Sequence, residues 1–418
     1  MMPVPASAKG APAASAFVTW PQFHGDAASR GLNPFETTVG LNNVSSLSLK
    51  WIGDGATIGE DLVFRSSPVV GKGLVFFGTD AGQVLAFRAT GCGNSSCEPV
   101  WRADLPQSIY NTPSIFQDTL FVGTASPEGR FYAFDAAGCG AVCNPIWSAP
   151  LQVGESSAKV SNGVVYVGSD GAAPGLYAFD AHGCGQSTCS PLWVGTTSSA
   201  VESTPAISGG FVYVAGQDGY MDVFEADGCG SSTCNPVWRG KMGAPSYGSS
   251  PAVSDGQVFQ PSFDGRLNVF DAAGCGGNVC QPLWKGDLEN YGESSPAVAK
   301  GWVFIGHHEG WLAVFKATGC GQQVCEPNWF GEPPGPVAEN DSSPMVANGV
   351  VYIGSMASKV YAFKAAGCGH TSCNPLWEFI TQDPIVNSSP VMDGGTLYVS
   401  GSNFGSVPQL YVFRAFGT

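Results

Sequence analysis

Charge is scarce in this chain. Lys, Arg, Asp and Glu together make up 12% of 418 residues, with 18 basic against 33 acidic, a net charge of −15. A surface this acidic repels a phosphate backbone, which argues against nucleic acid as a partner. The simplest use of such a charge is solubility, and the more specific one is an acidic face that receives a ligand. No run of 18 apolar residues occurs, so nothing reads as a membrane span. Residues 1–15 are small and Pro/Ala-rich, without the basic start and apolar stretch of an intact signal peptide. Residues 1–17 therefore read as a flexible leader or as the remnant left by a removed signal, and 18–418 as the folded part. The common signatures of catalysis are absent as well. There is no G-x-S-x-G, no H-E-x-x-H, no phosphate-binding loop and no C-x-x-C-H haem motif.

What the chain does have is apolar residues (44%), glycine (57) and proline (30), the mixture that short-stranded, turn-rich all-β proteins need. A length of 418 suggests two or three domains, but internal repeats override that prior. The strongest repeat is G-C-G-x₂₋₃-C-x-P-x-W. Its cysteines are Cys92/Cys97, Cys139/Cys143, Cys184/Cys189, Cys229/Cys234, Cys275/Cys280, Cys320/Cys325 and Cys368/Cys373, which are all 14 in the chain. A second marker, S-S-P or a close variant, is centred on Pro68, Pro113, Ala158, Pro205, Pro251, Pro296, Pro344 and Pro390, and recurs roughly every 46 residues. A third is a strand ending in Phe, from Phe87 to Phe413.

Eight copies of the second and third markers stand against seven of the first. The last repeat stops before any Cys or Trp, while Leu47-Ser48-Leu49-Lys50-Trp51 is a Trp-bearing strand with no repeat before it. Each repeat reads as four short strands, the unit of a propeller blade. The expectation is an all-β, eight-bladed β-propeller forming a single domain over 18–418. Its last blade would be completed by the N-terminal strand, leaving no open edge.

The seven C-x₃₋₄-C pairs read as disulfides rather than zinc sites. Structural zinc takes four ligands, one pair supplies two, and no His recurs beside them. Each bridge would close a loop of about six residues, worth about 2 kcal/mol, pinning the turn between third and fourth strands and aiming the Trp at the next blade. Seven bridges imply an oxidising compartment, extracellular or periplasmic.

Taken together, S-S-P, the strand Val165 to Ser169 (V-Y-V-G-S), Leu176 to Asp180 (L-Y-A-F-D) and the following Gly and Trp resemble the PQQ-binding-like β-propeller repeat. The opening Trp20-Pro21-Gln22-Phe23-His24-Gly25-Asp26, with Asn33-Pro34, resembles the segment that leads into such propellers. Where that family has Thr-Gly before the Trp, this chain has its Cys-bearing turn. The resemblance implies one of two functions. The family includes calcium- and PQQ-dependent alcohol dehydrogenases, and also cofactor-free scaffolds such as the outer-membrane assembly lipoprotein. Quinoproteins usually carry adjacent cysteines, and no Cys-Cys pair occurs here.

In a propeller the residue just before each S-S-P set would ring the channel mouth. Around the ring these are Arg65, Tyr110 (followed by Asn111 in place of the first Ser), Glu155, Glu202, Gly248, Glu293, Asp341 and Asn387. Convergent carboxylates favour a cation, so Glu155, Glu202 and Glu293 are candidate ligands for Ca²⁺ or an amine. Arg65, Asn111, Asp341 and Asn387 would complete a pocket for an anionic cofactor such as PQQ, or for another ligand. The plainer alternative is a solvated funnel whose charges cap strand ends. His307 and His308, near Trp311, occupy a turn on the same face; with Asp341 they are candidate catalytic groups, and otherwise turn histidines. Two functions follow for comparison: a secreted scaffold binding a small molecule or protein through its acidic funnel, and a PQQ- and calcium-dependent dehydrogenase. A third is a hydrolase or lyase using His307 or His308 with the funnel carboxylates.

Overall fold

The computed structural model describes residues 20–54, 65–125, 127–290, 292–333, 341–385, 388–401 and 408–416. The leader 1–17 and Asn387 lie outside the described residues. Eight antiparallel blades surround a central channel. Blade 1 is typical, with strands Val69–Gly71, Leu74–Gly78, Gln83–Arg88 and Trp101–Asp104 from the channel outward. Its second and third strands are buried over nearly their whole length, as sheets sandwiched between neighbouring sheets require. Blade 8 is the composite that the repeat count predicts. Its strands Val391–Asp393, Thr396–Gly401 and Gln409–Arg414 are completed by Ser48–Gly53 from the N-terminal end, in a register running from Ser48↔Arg414 to Gly53↔Leu410.

The S-S-P marker proves to be the ring's inner seam. Its second hydroxyl accepts a hydrogen bond from the N–H of the equivalent residue one blade earlier. The chain of bonds runs Ser67 to Thr112, Ser157, Thr204, Ser250, Ser295, Ser343 and Ser389, and then back to Ser67 Oγ, at 2.8 to 3.2 Å. Every member is buried. The belt thus satisfies eight backbone donors that point between strands and have no sheet partner.

The cysteines form seven disulfides, each within its own repeat: Cys92–Cys97, Cys139–Cys143, Cys184–Cys189, Cys229–Cys234, Cys275–Cys280, Cys320–Cys325 and Cys368–Cys373. The pairing is as the spacing predicts, and the bridges reach beyond the turn between third and fourth strands. Only the first Cys of each pair is exposed. The second (Cys97, Cys143, Cys189, Cys234, Cys280, Cys325 and Cys373) is buried and belongs to the hydrophobic core. It is buried because its own strand segment lies against the outer strand of the preceding blade. Cys143 N–H donates to Arg102 O at 2.8 Å, and Cys189 N–H to Ser148 O at 2.9 Å. Thr233–Cys234 pairs in parallel with Val194 and Gly195, and Val324–Cys325 with Lys285 and Gly286. Val279–Cys280 lies along Trp238–Lys241, with the Arg239 N–H donating to Asn278 O at 2.9 Å.

The first Gly of each G-C-G, at positive φ, covers the preceding Trp; a Cβ on Gly91 or Gly228 would stand 2.8 Å from the indole of Trp51 or Trp193. Blade 8 has no disulfide to offer blade 7. There Leu47 stands four residues before Trp51, as Cys97 stands before Trp101. Leu47 is buried, follows a 3₁₀ turn at Val44–Ser46, and its carbonyl accepts from Trp377 Nε1 at 3.1 Å. An apolar contact therefore does at this seam what a disulfide segment does at the other seven.

The segment from Trp20 to Asn33 closes the channel from below. In order, it meets the inner strand of every blade. The carbonyls of Trp20, Pro21, Ala27, Ala28, Arg30 and Gly31 accept from Val70, Ile115, Ile207, Val253, Val298 and Val346. Gln22 Oε1 accepts from Val160, and Asn33 Nδ2 donates to Met392 O at 2.7 Å. Leu32–Asn33 adds a parallel strand to blade 7.

Two outcomes test the belt and the caps. Ser250→Ala orphans the buried Thr204 N–H and should cost about 1–3 kcal/mol in denaturant unfolding, whereas Ser254→Ala, at the half-buried end of strand Ala252–Ser254, should stay within about 0.5 kcal/mol. The double variant C275S/C280S should lose about 2 kcal/mol. It should also speed amide exchange at Arg239, in blade 4; an increase restricted to blade 5 would contradict the capping role.

Candidate functional site

The inner strands run away from one face, so the residues preceding S-S-P gather there as a mouth. Arg65, Tyr110, Glu155, Gly248, Glu293 and Asp341 form its rim. Beneath them lie hydroxyls of the belt, including Thr112, Ser157 and Thr204, and Phe23 of the closing segment is the floor. The enclosed volume is ≈ 40 Å³.

Arg65 organises this space. Its guanidinium is hydrogen-bonded to Glu155 Oε1, lies 3.8 Å from Glu293 Oε2, and stands 6.0 Å from the ring centroid of Tyr110. The three charged side chains are about one-quarter exposed, so this is a solvent-screened network worth on the order of 1 kcal/mol. Glu155 belongs to blade 3, yet it crosses toward blades 5 and 6 because Gly248 leaves room. A Cβ on Gly248 would stand 2.7 Å from Glu155 Oε2 and 3.6 Å from Glu293 Oε2. Asp341 Oδ1 accepts the Glu293 N–H at 3.3 Å. Glu202 sits to one side of the cavity. Burial raises its carboxyl pKa; a hydrogen bond with Gln217 opposes this, the charge of Asp170 adds to it, and Arg65 opposes it again.

The remaining candidates are placed elsewhere. Asn111 is buried and spends its side-chain amide on structure, donating to Gly123 O (2.9 Å) and Gly154 O (3.1 Å) and accepting from Gly123 N (3.1 Å). It does for blade 2 what the first Ser does for others, such as Ser66, which accepts from Gly78 N. His307 is buried against Trp311, ring centroids 5.5 Å apart, and edge-on to Phe330. Its Nδ1 accepts from the Glu309 N–H, and its ring also bonds the Leu288 backbone; burial lowers its pKa. These contacts make His307 a packing residue of blade 6. His308 follows it in the same turn, and neither histidine lines the mouth cavity.

Sequence reasoning missed three features. Phe23 is the floor because a segment distant in sequence folds beneath the mouth. The belt hydroxyls were visible as a marker, but their circular bonding is not a sequence property. Lys159, in the inner strand of blade 3, is wholly buried and donates to Phe23 O and, at 2.7 Å, to Asp26 O, which fastens the floor. Burial lowers its pKa to about 7, with Asp26 opposing. His24, stacked on Phe23 at 4.3 Å, is held at about 3 by burial and then by the charge of Lys159, against carbonyl contacts from Ser29 and Pro296.

Calcium and PQQ do not fit the mouth as described. Two of the three carboxylates that the sequence suggested as ligands reach Arg65. Among the described residues, no group of three His, Cys, Asp or Glu is placed to hold a metal ion. Small-molecule pockets run to about 300–1,000 Å³. A cavity of ≈ 40 Å³ takes little more than a water molecule.

Comparisons with known proteins agree with the repeat. The family model of the outer membrane protein assembly factor BamB matches residues 229–413. No curated protein matches the chain by sequence. Among solved structures, BamB from Moraxella catarrhalis is 14% identical with a TM-score of 0.62, over 89% of this chain and 98% of that one. Quinohemoprotein alcohol dehydrogenase from Comamonas testosteroni is 14% identical at 0.71, over 96% and 81%. A europium-containing methanol dehydrogenase is 12% identical at 0.68, over 94% and 98%. The chain is therefore an eight-bladed β-propeller reinforced by disulfides, and its residues 229–413 match the BamB family model. At these identities the likeness to solved structures is one of fold.

The acid response of the floor is testable. His24 is held near pKa 3 in the fold against an ordinary 6.5. A depressed base of this kind contributes stability that is full above 6.5 and is lost as pH falls toward 3. Melting temperature should fall more steeply over that window in wild type than in His24→Asn; parallel curves would show that His24 is not held neutral.

Proposed function

We propose that this chain is a binding scaffold of an oxidising compartment, periplasmic or extracellular, which receives a protein or small-molecule partner on its acidic mouth face. The observation that carries this reading is the mouth itself. Arg65 already supplies the cation between Glu155 and Glu293, and little volume is left for a buried group. A partner would then engage from outside. The carboxylates of the rim, in a chain of net charge −15, favour a cationic segment and speed its encounter. Seven disulfides suit long service where no reductant restores a thiol.

The second reading is a PQQ- and calcium-dependent dehydrogenase, favoured by the propeller likeness to quinohemoprotein alcohol dehydrogenase. Reconstitution with PQQ and Ca²⁺ separates the two. The scaffold reading expects no quinone absorption band, no dye reduction with alcohols and no Ca²⁺-dependent rise in melting temperature. A band accompanied by dye reduction would overturn it. The scaffold reading further expects an oligolysine peptide to bind wild type, and to bind E155Q/E202Q/E293Q at least about tenfold more weakly. Binding should vanish near 1 M salt, where the Debye length is about 3 Å.

A further inference from the structure

A second cavity lies on the opposite face, away from the mouth. Residues 32–41, bonded to blades 7 and 8, line with blades 6 and 7 a cavity of ≈ 550 Å³ there. Leu32, Leu41, Trp302, Phe304 and Val346 line it, with Leu32 beside its strand partner Val346. At some seams a tyrosine bridges the two blades. At Tyr166, Tyr213 and Tyr398, equivalent positions on the second strands of blades 3, 4 and 8, the phenol donates across the seam to the carbonyl of Ala226, Ala272 or Ala89. Blade 6 has Phe304 in that register, paired with Ala297 as Tyr213 is with Ala206, and blades 1, 2 and 5 have Phe76, Phe121 and Phe259. The cavity at the seam of blades 6 and 7 has a volume within the range of ligand sites and is lined largely by apolar side chains.

Its rim carries the opposite charge to the mouth. Lys300, in the turn between the first two strands of blade 6, and Lys364, ending the third strand of blade 7, both line the cavity and are exposed. The carboxylate in the lining, Glu36, is already committed: Oε1 accepts from the N–H groups of Thr38 and Val39, and Oε2 from Gly395. Two lysines beside an apolar hollow select a ligand with an apolar body and an anionic head.

We propose that this cavity binds a soluble aliphatic carboxylate, its chain against Trp302 and Phe304 and its head at Lys300 and Lys364. The site is separate from the mouth and stands whether or not the scaffold reading holds. The test is titration of the full chain with undecanoate brominated at its chain terminus, followed by tryptophan fluorescence. Saturable quenching is expected below the concentration at which the carboxylate aggregates, and Trp302→Phe should remove most of it. The exposed pair K300E/K364E should keep the wild-type melting temperature and weaken the carboxylate about tenfold, while leaving undecanol binding unchanged. Absence of saturable quenching would overturn the proposal, as would quenching unaltered by Trp302→Phe or equal affinity in K300E/K364E. Binding to phosphatidylglycerol vesicles without binding to the monomeric carboxylate would also overturn it, assigning the face to a membrane surface.

Discussion

The belt of eight backbone-to-hydroxyl bonds around the channel is the constraint on which the rest of the molecule depends. Inner strands of neighbouring blades splay apart and cannot pair as a sheet, so their first N–H groups need another acceptor. A Ser or Thr placed one blade on supplies it, and eight in a circle close the count with none left over. A buried donor left unmet costs more than a net hydrogen bond gains. The belt therefore fixes blade number and blade spacing together, and it sets the diameter of the mouth above it.

Closure elsewhere follows from that diameter. At the perimeter, each disulfide segment extends the outer strand of the blade before it and shields its Trp, so the bridges act between repeats as much as within them. At the eighth seam, Leu47 substitutes burial for a covalent link. Below, a single segment touches all eight inner strands, with Lys159 tethering its carbonyls. Strand completion, covalent capping and a threaded floor are three different answers to the edge problem that open sheets face.

The mouth is a case where departures from the repeat cooperate. Gly248 is small where Glu155 must cross, and Arg65 is basic where two carboxylates meet. The outcome is a partly neutralised, still acidic and narrow aperture on a fold shared with quinohemoprotein alcohol dehydrogenase at 14% identity. Fold likeness at that level transmits the scaffold and not the chemistry of its centre.

The sequence by itself determined the propeller, the blade count, the composite last blade and the pairing of cysteines. Each of these is a local or periodic property, written once per repeat. It also named the rim position, since a residue's offset from S-S-P fixes its height in the channel. Tertiary structure decided what the rim residues do, and that the second Cys of each bridge is a core residue of the seam. Cys143 and Cys189 are buried only because the preceding blade presents Arg102 and Ser148 to them. Asn111 was legible as a deviation, but its turn toward Gly123 and Gly154 depends on where a neighbouring blade sits. His307 was legible as a turn histidine, but its packing against Phe330, beside Trp311 of its own turn, depends on the strand Trp329–Gly331. Phe23 became a floor, and Leu32 and Leu41 a wall, because the chain threads beneath a ring that does not exist until all eight blades close. Periodicity reports what each repeat shares; contacts between repeats, and the places where repeats differ, arise only when distant segments are brought within reach.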